Sequence, residues 1–515
     1  MTQQKKPSRR GFLGTAAAAA TATTVAMTAK SYAQVKGANE GVRVGFLGVG
    51  GRCQQHIDVV LKMQKENKGV KPVAACDVWD GDKTKSGGKG AGLYPSAERM
   101  GVQDDKKHVS KDYRTVLDQK DVDMVVVATP DHWHARMTID ALEAGKHVYC
   151  EKPMTRTIAE AQAVVDAWKK AKQVMTVGVQ SMADPTWRMA YEYIKAGNIG
   201  HVMQGQTSYY RNSKMGQWRY YKLTKEMNPT TVDWDMFLGH KFEVAGEKVG
   251  PTPDAWPFDR AVFHQWRCYW PFGGGMFTDL FVHQTTHLIA AMGVRYPKRV
   301  AGGGGIYLEY DGRDVPDVAA VVADYDEGCQ VLVTATMCND HRIEEVIRGH
   351  TGTLVFGTNP KTKEFGYTIL PQSIASAPKG PSGDIPKDGE FVSGGLKGDD
   401  TYALWENHLK CMAEQNKDTF STPELGAAAF TTVNMGVLSY RNDQVLYWDK
   451  SARKPVPGDG SWSKKWEQRS EERGKPNQII GWTGGDKGSL LVPEDYQKLE
   501  GPWKDKTTDP ADSKK

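Results

Sequence analysis

The chain has 515 residues, 39% of them hydrophobic and 25% charged, with a formal net charge of +5. A chain of that length exceeds one compact core, so two domains are expected. Residues 1–33 hold five of the 67 basic residues and none of the 62 acidic ones, leaving 62 of each beyond them, a balance that excludes a basic nucleic-acid footprint.

The first predicted element is a targeting segment over residues 1–33. Lys5, Lys6 and Ser8-Arg-Arg-Gly-Phe-Leu-Gly14 precede an alanine/threonine stretch, and Ser31-Tyr32-Ala33 offers a small-x-small cleavage site before Gln34. Twin arginines followed by Phe-Leu look like a signal for the twin-arginine export machinery, so a periplasmic location is expected. No later run approaches the ~20 apolar residues of a membrane span. The seven cysteines (53, 76, 150, 268, 329, 338 and 411) are odd in number and irregularly spaced. They resemble neither a disulfide framework nor a zinc site, so buried, reduced thiols are expected and no metal.

Residues 41–180 read as a Rossmann domain. A strand over residues 42–48 turns through Gly48-Val-Gly-Gly-Arg-Cys53 into a helix reaching about Lys65. Gly48 allows the tight bend, and Gly50 lets backbone amides approach a pyrophosphate at the helix N-terminus. The third glycine of the usual pattern is replaced by Cys53. Val73-Ala-Ala-Cys-Asp77 ends the next strand in an acid. Asp77 can accept hydrogen bonds from an adenosine ribose, favouring NAD over NADP, or it can simply cap the loop, since its spacing from the glycines exceeds the usual ~20 residues. Residues 80–92 form a Gly/Lys-rich surface loop. Residues 124–128 and 147–150 are valine-rich strands joined by a helix over residues 133–144, which is a parallel-strand crossover. Thr129, Pro130, His134 and Lys152 therefore fall beyond the carboxyl ends of strands, where ligands collect. Thr157-Ile-Ala-Glu160 is a capping box opening a helix to about Ala171, and residues 174–179 supply a sixth strand.

Residues 181–450 read as an α+β domain on a large, open, mostly antiparallel sheet. A helix over residues 185–196 is followed by strands over 202–210, 319–325, 330–337, 343–348 and 353–356. Residues 359–399 read as a long loop, 401–414 and 424–440 as helices. Residues 451–515 read as an irregular arm packed on a neighbouring surface or subunit.

Together, Gly48-Val-Gly-Gly-Arg52, Asp77, Thr129-Pro-Asp-His-Trp-His134, Ala144-Gly-Lys-His-Val-Tyr-Cys-Glu-Lys-Pro153, Gly197-Asn-Ile-Gly200 and Gly273-Gly-Gly-Met-Phe-Thr-Asp-Leu-Phe-Val-His283 resemble the Gfo/Idh/MocA oxidoreductases, over about residues 42–449. Exported members resemble glucose–fructose oxidoreductase, which implies a tightly bound NAD or NADP and a homo-oligomer. The resemblance places the cofactor on Gly48, Gly50, Gly51, Arg52, Asp77, Thr129, Pro130, His134, Glu151 and Lys152. It assigns catalysis to Lys152, Asp279 and His283.

Removing hydride from a sugar carbon requires the hydroxyl proton to leave too, so a base must touch that oxygen. His283 lies one helical turn after Asp279, a spacing at which the carboxylate can orient the imidazole. Lys152 can hydrogen-bond the same oxygen, and either residue can carry the proton. A bland pairing of Lys152 with Glu151 is the competing reading. Arg188, Arg211 and Arg267 are candidate contacts to a substrate hydroxyl or carboxylate, and His287 is a further candidate substrate contact. Aromatic residues of the second domain, among them Trp187, Tyr209, Trp218, Tyr220 and Trp266, suit the C–H faces of a carbohydrate.

The expected activity is a periplasmic NAD(P)-dependent oxidoreductase acting on the hydroxyl of a sugar, polyol or glycoside. A redox-neutral glycosidase or lyase using transient sugar oxidation is the alternative; such relatives often alter the Glu-Lys-Pro motif, which is intact here. A non-catalytic sugar-binding protein is the third reading.

Overall fold

A computed structural model of the chain describes residues 41–82, 90–372, 379–380 and 383–473. The export signal expected over residues 1–33 lies outside the described residues, as does residue 474 onward.

Six strands form the first sheet: β1 (Val42–Leu47), β2 (Val70–Cys76), β3 (Val109–Ser110), β4 (Met124–Val127), β5 (His147–Glu151) and β6 (Met175–Gly178). They are all parallel, in the order β3-β2-β1-β4-β5-β6. β4 and most of β5 are buried on both faces, which is why they read as unbroken valine-rich runs. The order reverses between β1 and β4, and a crevice opens beyond their carboxyl ends. The helix Ile158–Lys170 begins with the expected capping box: Thr157 Oγ1 accepts the Glu160 N–H at 3.2 Å, and Glu160 Oε2 accepts the Thr157 N–H at 3.0 Å.

The second sheet is mixed, with 11 described strands. Its one parallel pairing joins Val202–Asn212 to Cys329–Thr336, and its other pairings are antiparallel. The helices Pro185–Lys195, Phe281–Met292 and Pro423–Asn442 pack on it. Burial alternates along Cys329–Thr336, so Gln330, Thr334 and their neighbours form a half-exposed second face.

Two sequence expectations are corrected, and one strand that the sequence reading did not list is added. The loop expected over residues 359–399 contains the strands Phe365–Pro371 and Glu390–Ser393, which extend the sheet at its edge. Their alternation, with Tyr367 and Ile369 facing the core, is hidden among glycine, proline and lysine. Arg299–Gly305 is a strand despite four consecutive glycines. The arm expected from residue 451 opens as the edge strand Lys454–Pro457, whose two prolines suit an edge, and continues as the helix Ser461–Arg473, where Lys465 pairs with Asp326 at 2.7 Å. The described part of the arm thus packs on the chain's own hairpin.

All seven cysteines are free, six of them buried. Among the described residues, no helix is long and apolar enough to cross a membrane.

Glycine in the Arg299–Gly305 strand has a packing cause. A Cβ on Gly302 would stand 2.1 Å from the Gly436 carbonyl oxygen, so the strand and the helix Pro423–Asn442 touch backbone to backbone. Gly302→Ala is expected to lower the unfolding free energy by about 1–3 kcal/mol in denaturant titration; an unchanged midpoint would refute the close approach.

Candidate active site

A single cavity of about 1020 Å³ runs from the crevice of the first sheet to the second domain. Gly48, Gly50, Gly51, Arg52, Asp77, Thr129 and Pro130 line one end, and Lys152, Trp218, Arg267, Asp279 and His283 line the other.

The glycine turn is shaped for a dinucleotide. Gly48 has φ +80°, and a Cβ there would meet the Thr129 backbone at 2.7 Å, so a side chain is excluded by both conformation and space. Beside Gly50 and Gly51 nothing lies within 4 Å of the position a Cβ would take, leaving room for a ligand against the backbone. The helix Gly51–Lys65 starts there without a side-chain cap, so its first N–H groups are available to a pyrophosphate. Cys53, in place of the third glycine, is fully buried in the core beneath the turn. Asp77 lines the cavity at the end of β2 and accepts the Trp79 N–H at 2.9 Å through Oδ1. It therefore caps its loop and also faces the nucleotide end; burial raises its carboxyl to about 6.

At the other end, the Lys152 ammonium donates to Asp279 Oδ1 and to the Asp279 carbonyl, both at 2.8 Å. Arg267 Nε donates to the same Oδ1 at 3.1 Å, and Trp218 Nε1 donates to Oδ2 at 3.3 Å. Although burial opposes it, the charges of Lys152 and Arg267 hold the Asp279 carboxyl far below the usual carboxylate range. This corrects the expectation that Asp279 orients His283. The helix breaks at Leu280: Gly275–Asp279 is one helix and Phe281–Met292 another, with the His283 N–H reaching back to the Leu280 carbonyl at 3.2 Å. The Asp279 carbonyl, released from the helix ladder, accepts from Lys152 instead. His283 stands in the first turn of the following helix, its ring 6.2 Å from that of Tyr209 and near parallel. Burial first, and then the Lys152 charge, push its pKa well below the usual histidine value, so the imidazole is neutral.

Lys152 also pairs through its backbone with Glu151. Glu151 Oε2 accepts the Lys152 N–H at 3.1 Å, while Oε1 takes Arg52 Nε at 2.7 Å and His56 Nε2 at 2.8 Å. The Trp405 indole N–H donates to His56 Nδ1 at 3.0 Å. Indole is a donor only, so His56 carries its proton on Nε2 and donates it to Glu151. His56 and Trp405 escaped the sequence reading, which had Trp218 only as a sugar-packing aromatic and not as a donor to Asp279. His56 and Trp405 are 349 residues apart, and no local pattern links them.

Trp218 is held by a clamp. It has φ +66°, costly for a bulky side chain, and its neighbour Gln217 is gripped from both sides. The Gln217 N–H donates to Glu309 Oε1 at 2.9 Å, and the buried Arg313 donates to the Gln217 carbonyl at 2.9 Å.

Three other candidates are engaged by protein groups, and of these His134 and His287 line the cavity. Both His134 ring nitrogens face backbone carbonyls, Thr129 O at 2.8 Å and Pro153 O at 2.6 Å, so this side chain braces the end of β4 against the Lys152-Pro153 turn. Arg188, expected at the substrate, does not line the cavity: its guanidinium donates to the Met182 carbonyl at 2.7 Å and lies 3.8 Å over the Phe420 ring. His287 reaches the cavity wall with both nitrogens engaged, by Glu345 at 2.7 Å and Ser181 at 3.1 Å, and its ring stacks on Trp187 at 3.8 Å. Among the described residues no group of three or more metal-capable side chains assembles.

Asp279→Ala would leave an ammonium and a guanidinium facing each other without a counter-charge. It is expected to cost about 3–5 kcal/mol of stability by denaturant titration; a loss below about 1 kcal/mol would show that the pair is solvated.

Two family models match the chain. "Oxidoreductase family, NAD-binding Rossmann fold" spans residues 42–179, and "GFO/IDH/MocA C-terminal domain" spans 252–355. Levoglucosan dehydrogenase of Pseudarthrobacter phenanthrenivorans is 35% identical over 133 residues, 25% of this chain and 33% of that one. Alpha-N-acetylgalactosaminidase of Shewanella oneidensis is 28% identical over 200 residues, 36% of this chain and 40% of that one. These matches thus span well under two thirds of the relatives' length. Among solved structures, the WlbA dehydrogenase of Chromobacterium violaceum with NADH and UDP-GlcNAcA has a TM-score of 0.54 at 18% identity, covering 82% of this chain and 97% of that one. Levoglucosan dehydrogenase with NADH and L-sorbose has a TM-score of 0.54 at 20% identity, covering 79% and 99%. At those identities the structural likeness speaks for the fold. Residues 42–179 thus match the NAD-binding Rossmann domain of the Gfo/Idh/MocA oxidoreductases and residues 252–355 their C-terminal domain, in that order on that fold.

Proposed function

We propose that the chain transfers hydride between a nicotinamide cofactor and a carbinol carbon of a sugar, polyol or glycoside. The observation that carries this reading is the shared cavity, which joins a glycine turn shaped for pyrophosphate to a wall of Lys152, Arg267 and a neutral His283. The related levoglucosan dehydrogenase and the NADH-bound structural neighbours support it. A nicotinamide bound there supplies the acceptor for the hydride, which leaves carbon with the C–H electron pair. The hydroxyl proton passes to His283, the neutral base in the site. The Lys152 ammonium, anchored by Asp279, donates a hydrogen bond to the oxygen as its negative charge develops. The carbon–oxygen double bond forms as both leave. Asp77, facing the nucleotide end, favours a free ribose diol and hence NAD, and the depth of the cavity suits a cofactor that stays bound.

The alpha-N-acetylgalactosaminidase relative favours one alternative, redox-neutral glycoside cleavage in the same site. We further propose export through the twin-arginine motif at Arg9 and Arg10, and a homo-oligomer formed on the half-exposed sheet face. Supporting these are the Ser8-Arg-Arg-Gly-Phe-Leu-Gly14 motif and the alternating burial of Cys329–Thr336. Loss of periplasmic recovery in Arg10→Lys and a multimeric mass by light scattering are the expected results.

The full chain, purified without added cofactor, is expected to carry nucleotide whose reduced-nicotinamide absorbance grows when the right sugar is added. Lys152→Met should keep the nucleotide and lower kcat by about 10²–10⁴-fold. A silent absorbance band with release of free sugar from a glycoside would move the chain to the alternative.

Asp77 supplies a pH test. Its carboxyl sits near 6, and ribose hydroxyls donate to the ionised form, so NAD affinity should rise as pH increases through that value. Asp77→Asn should flatten the profile; a profile unchanged by the substitution would remove Asp77 from the ribose site.

A further inference from the structure

The substrate end of the cavity contains two guanidinium groups to which no acidic partner is matched among the described residues. Arg211, at the end of the Val202–Asn212 strand, lies with its guanidinium carbon 4.7 Å over the Tyr209 ring and donates to the Tyr209 hydroxyl. Arg342 lies on the exposed rim of the same cavity. The Tyr209 ring in turn faces His283, so one aromatic side chain touches both Arg211 and the base. Tyr220 places it in the same chamber: that hydroxyl feels the charges of Arg211, Asp279 and Arg267 together.

The acids of the chamber are already committed. Asp279 holds Lys152 and Arg267, Glu345 accepts from His287 and from Thr207, both at 2.7 Å, and Asp184 caps a helix through the Thr186 N–H at 2.8 Å. Asp131 is deeply buried, and that burial pushes its carboxyl well above the usual carboxylate range. A guanidinium held over an aromatic ring, with one N–H on the ring's hydroxyl, keeps its other N–H groups for a planar anion. We propose that this anion is a sugar carboxylate: the enzyme acts on a uronate or aldonate unit, and Arg211, with Arg342 at the rim, selects it. A phosphate fits less well, because Lys152, the lysine at this end, is paired with Asp279.

This inference rests on the oxidoreductase reading and is separable from it by binding. The full chain with its nucleotide would be titrated by calorimetry with glucuronate, gluconate, methyl glucuronide, glucose and glucose 6-phosphate, and the same compounds followed by nicotinamide absorbance. The acids are expected to bind at least about tenfold tighter than glucose. Free glucuronate and methyl glucuronide distinguish a monomer from the end of a chain; preference for either supports the proposal. In Arg211→Met, which keeps the stacking bulk, the ratio of acidic to neutral kcat/KM should fall about tenfold, with partial recovery in Arg211→Lys. The thermal midpoint of each variant separates misfolding from lost recognition. Glucose binding as well as glucuronate, glucose 6-phosphate binding best, or a ratio unmoved by either substitution overturns the proposal. Arg211-dependent binding of acids with no absorbance change for any compound would leave carboxylate recognition standing and overturn the oxidoreductase reading.

Discussion

The contact between Lys152 and Asp279 is the constraint on which the rest of the site depends. It joins the end of a parallel strand in one sheet to a helix end belonging to the other, and both partners are nearly excluded from water. An ion pair in that setting repays its desolvation only with good geometry and further hydrogen bonds. Both conditions are met. Lys152 reaches a carboxylate oxygen and a carbonyl of the same residue, and that carbonyl is available because the helix is interrupted at Leu280. The helix break is thus part of the binding of Lys152, and the loss of one helical hydrogen bond is offset by a charge-assisted one.

Two outer layers fix the two members of the pair. Behind Lys152, Glu151 is held by Arg52 and by a histidine whose tautomer is set by Trp405, from a helix far along the chain. Behind Asp279, Trp218 is held in a conformation it would not adopt alone, by the grip of Arg313 and Glu309 on its neighbour. Such networks are rigid when every member is satisfied and fragile when one is removed. Residues that touch no ligand therefore share control of where the Lys152 ammonium points.

How much of this was legible in the sequence follows from how local each cause is. The glycine turn, the valine-rich strands and the Thr157/Glu160 capping box are short-range patterns, and the structure has them where the residues indicate. The strand Arg299–Gly305 was not legible, because its glycines answer to a helix more than a hundred residues away. The strands inside residues 359–399 were masked by turn residues around them. At the site, Lys152, Asp279 and His283 came from motifs, and the structure gathers them on one wall. Their pairing did not follow from spacing: four residues apart suggested one helix face, and only tertiary contact shows Asp279 turned toward Lys152. Arg188 misled because residue type alone cannot tell a cavity from the carbonyls beside it.

The electrostatic balance of the site connects its stability to its chemistry. One carboxylate serves two cations, so Lys152, Arg267 and Asp279 together leave an excess positive charge against a neutral His283. Burying that excess is unfavourable in the resting protein and is tolerated because the surrounding framework over-determines it. The same excess becomes favourable when an oxygen in the cavity gains negative charge, since the donors are already aimed and no solvent has to reorganise around them. A site with balanced charge would be more comfortable at rest and would hold an alkoxide less well. Aromatic side chains, Tyr209 and Trp218 among them, line this part of the cavity and lower the polarity around the interaction. The unpaired charge at the reacting end is therefore the form in which folding energy is made available to the reaction.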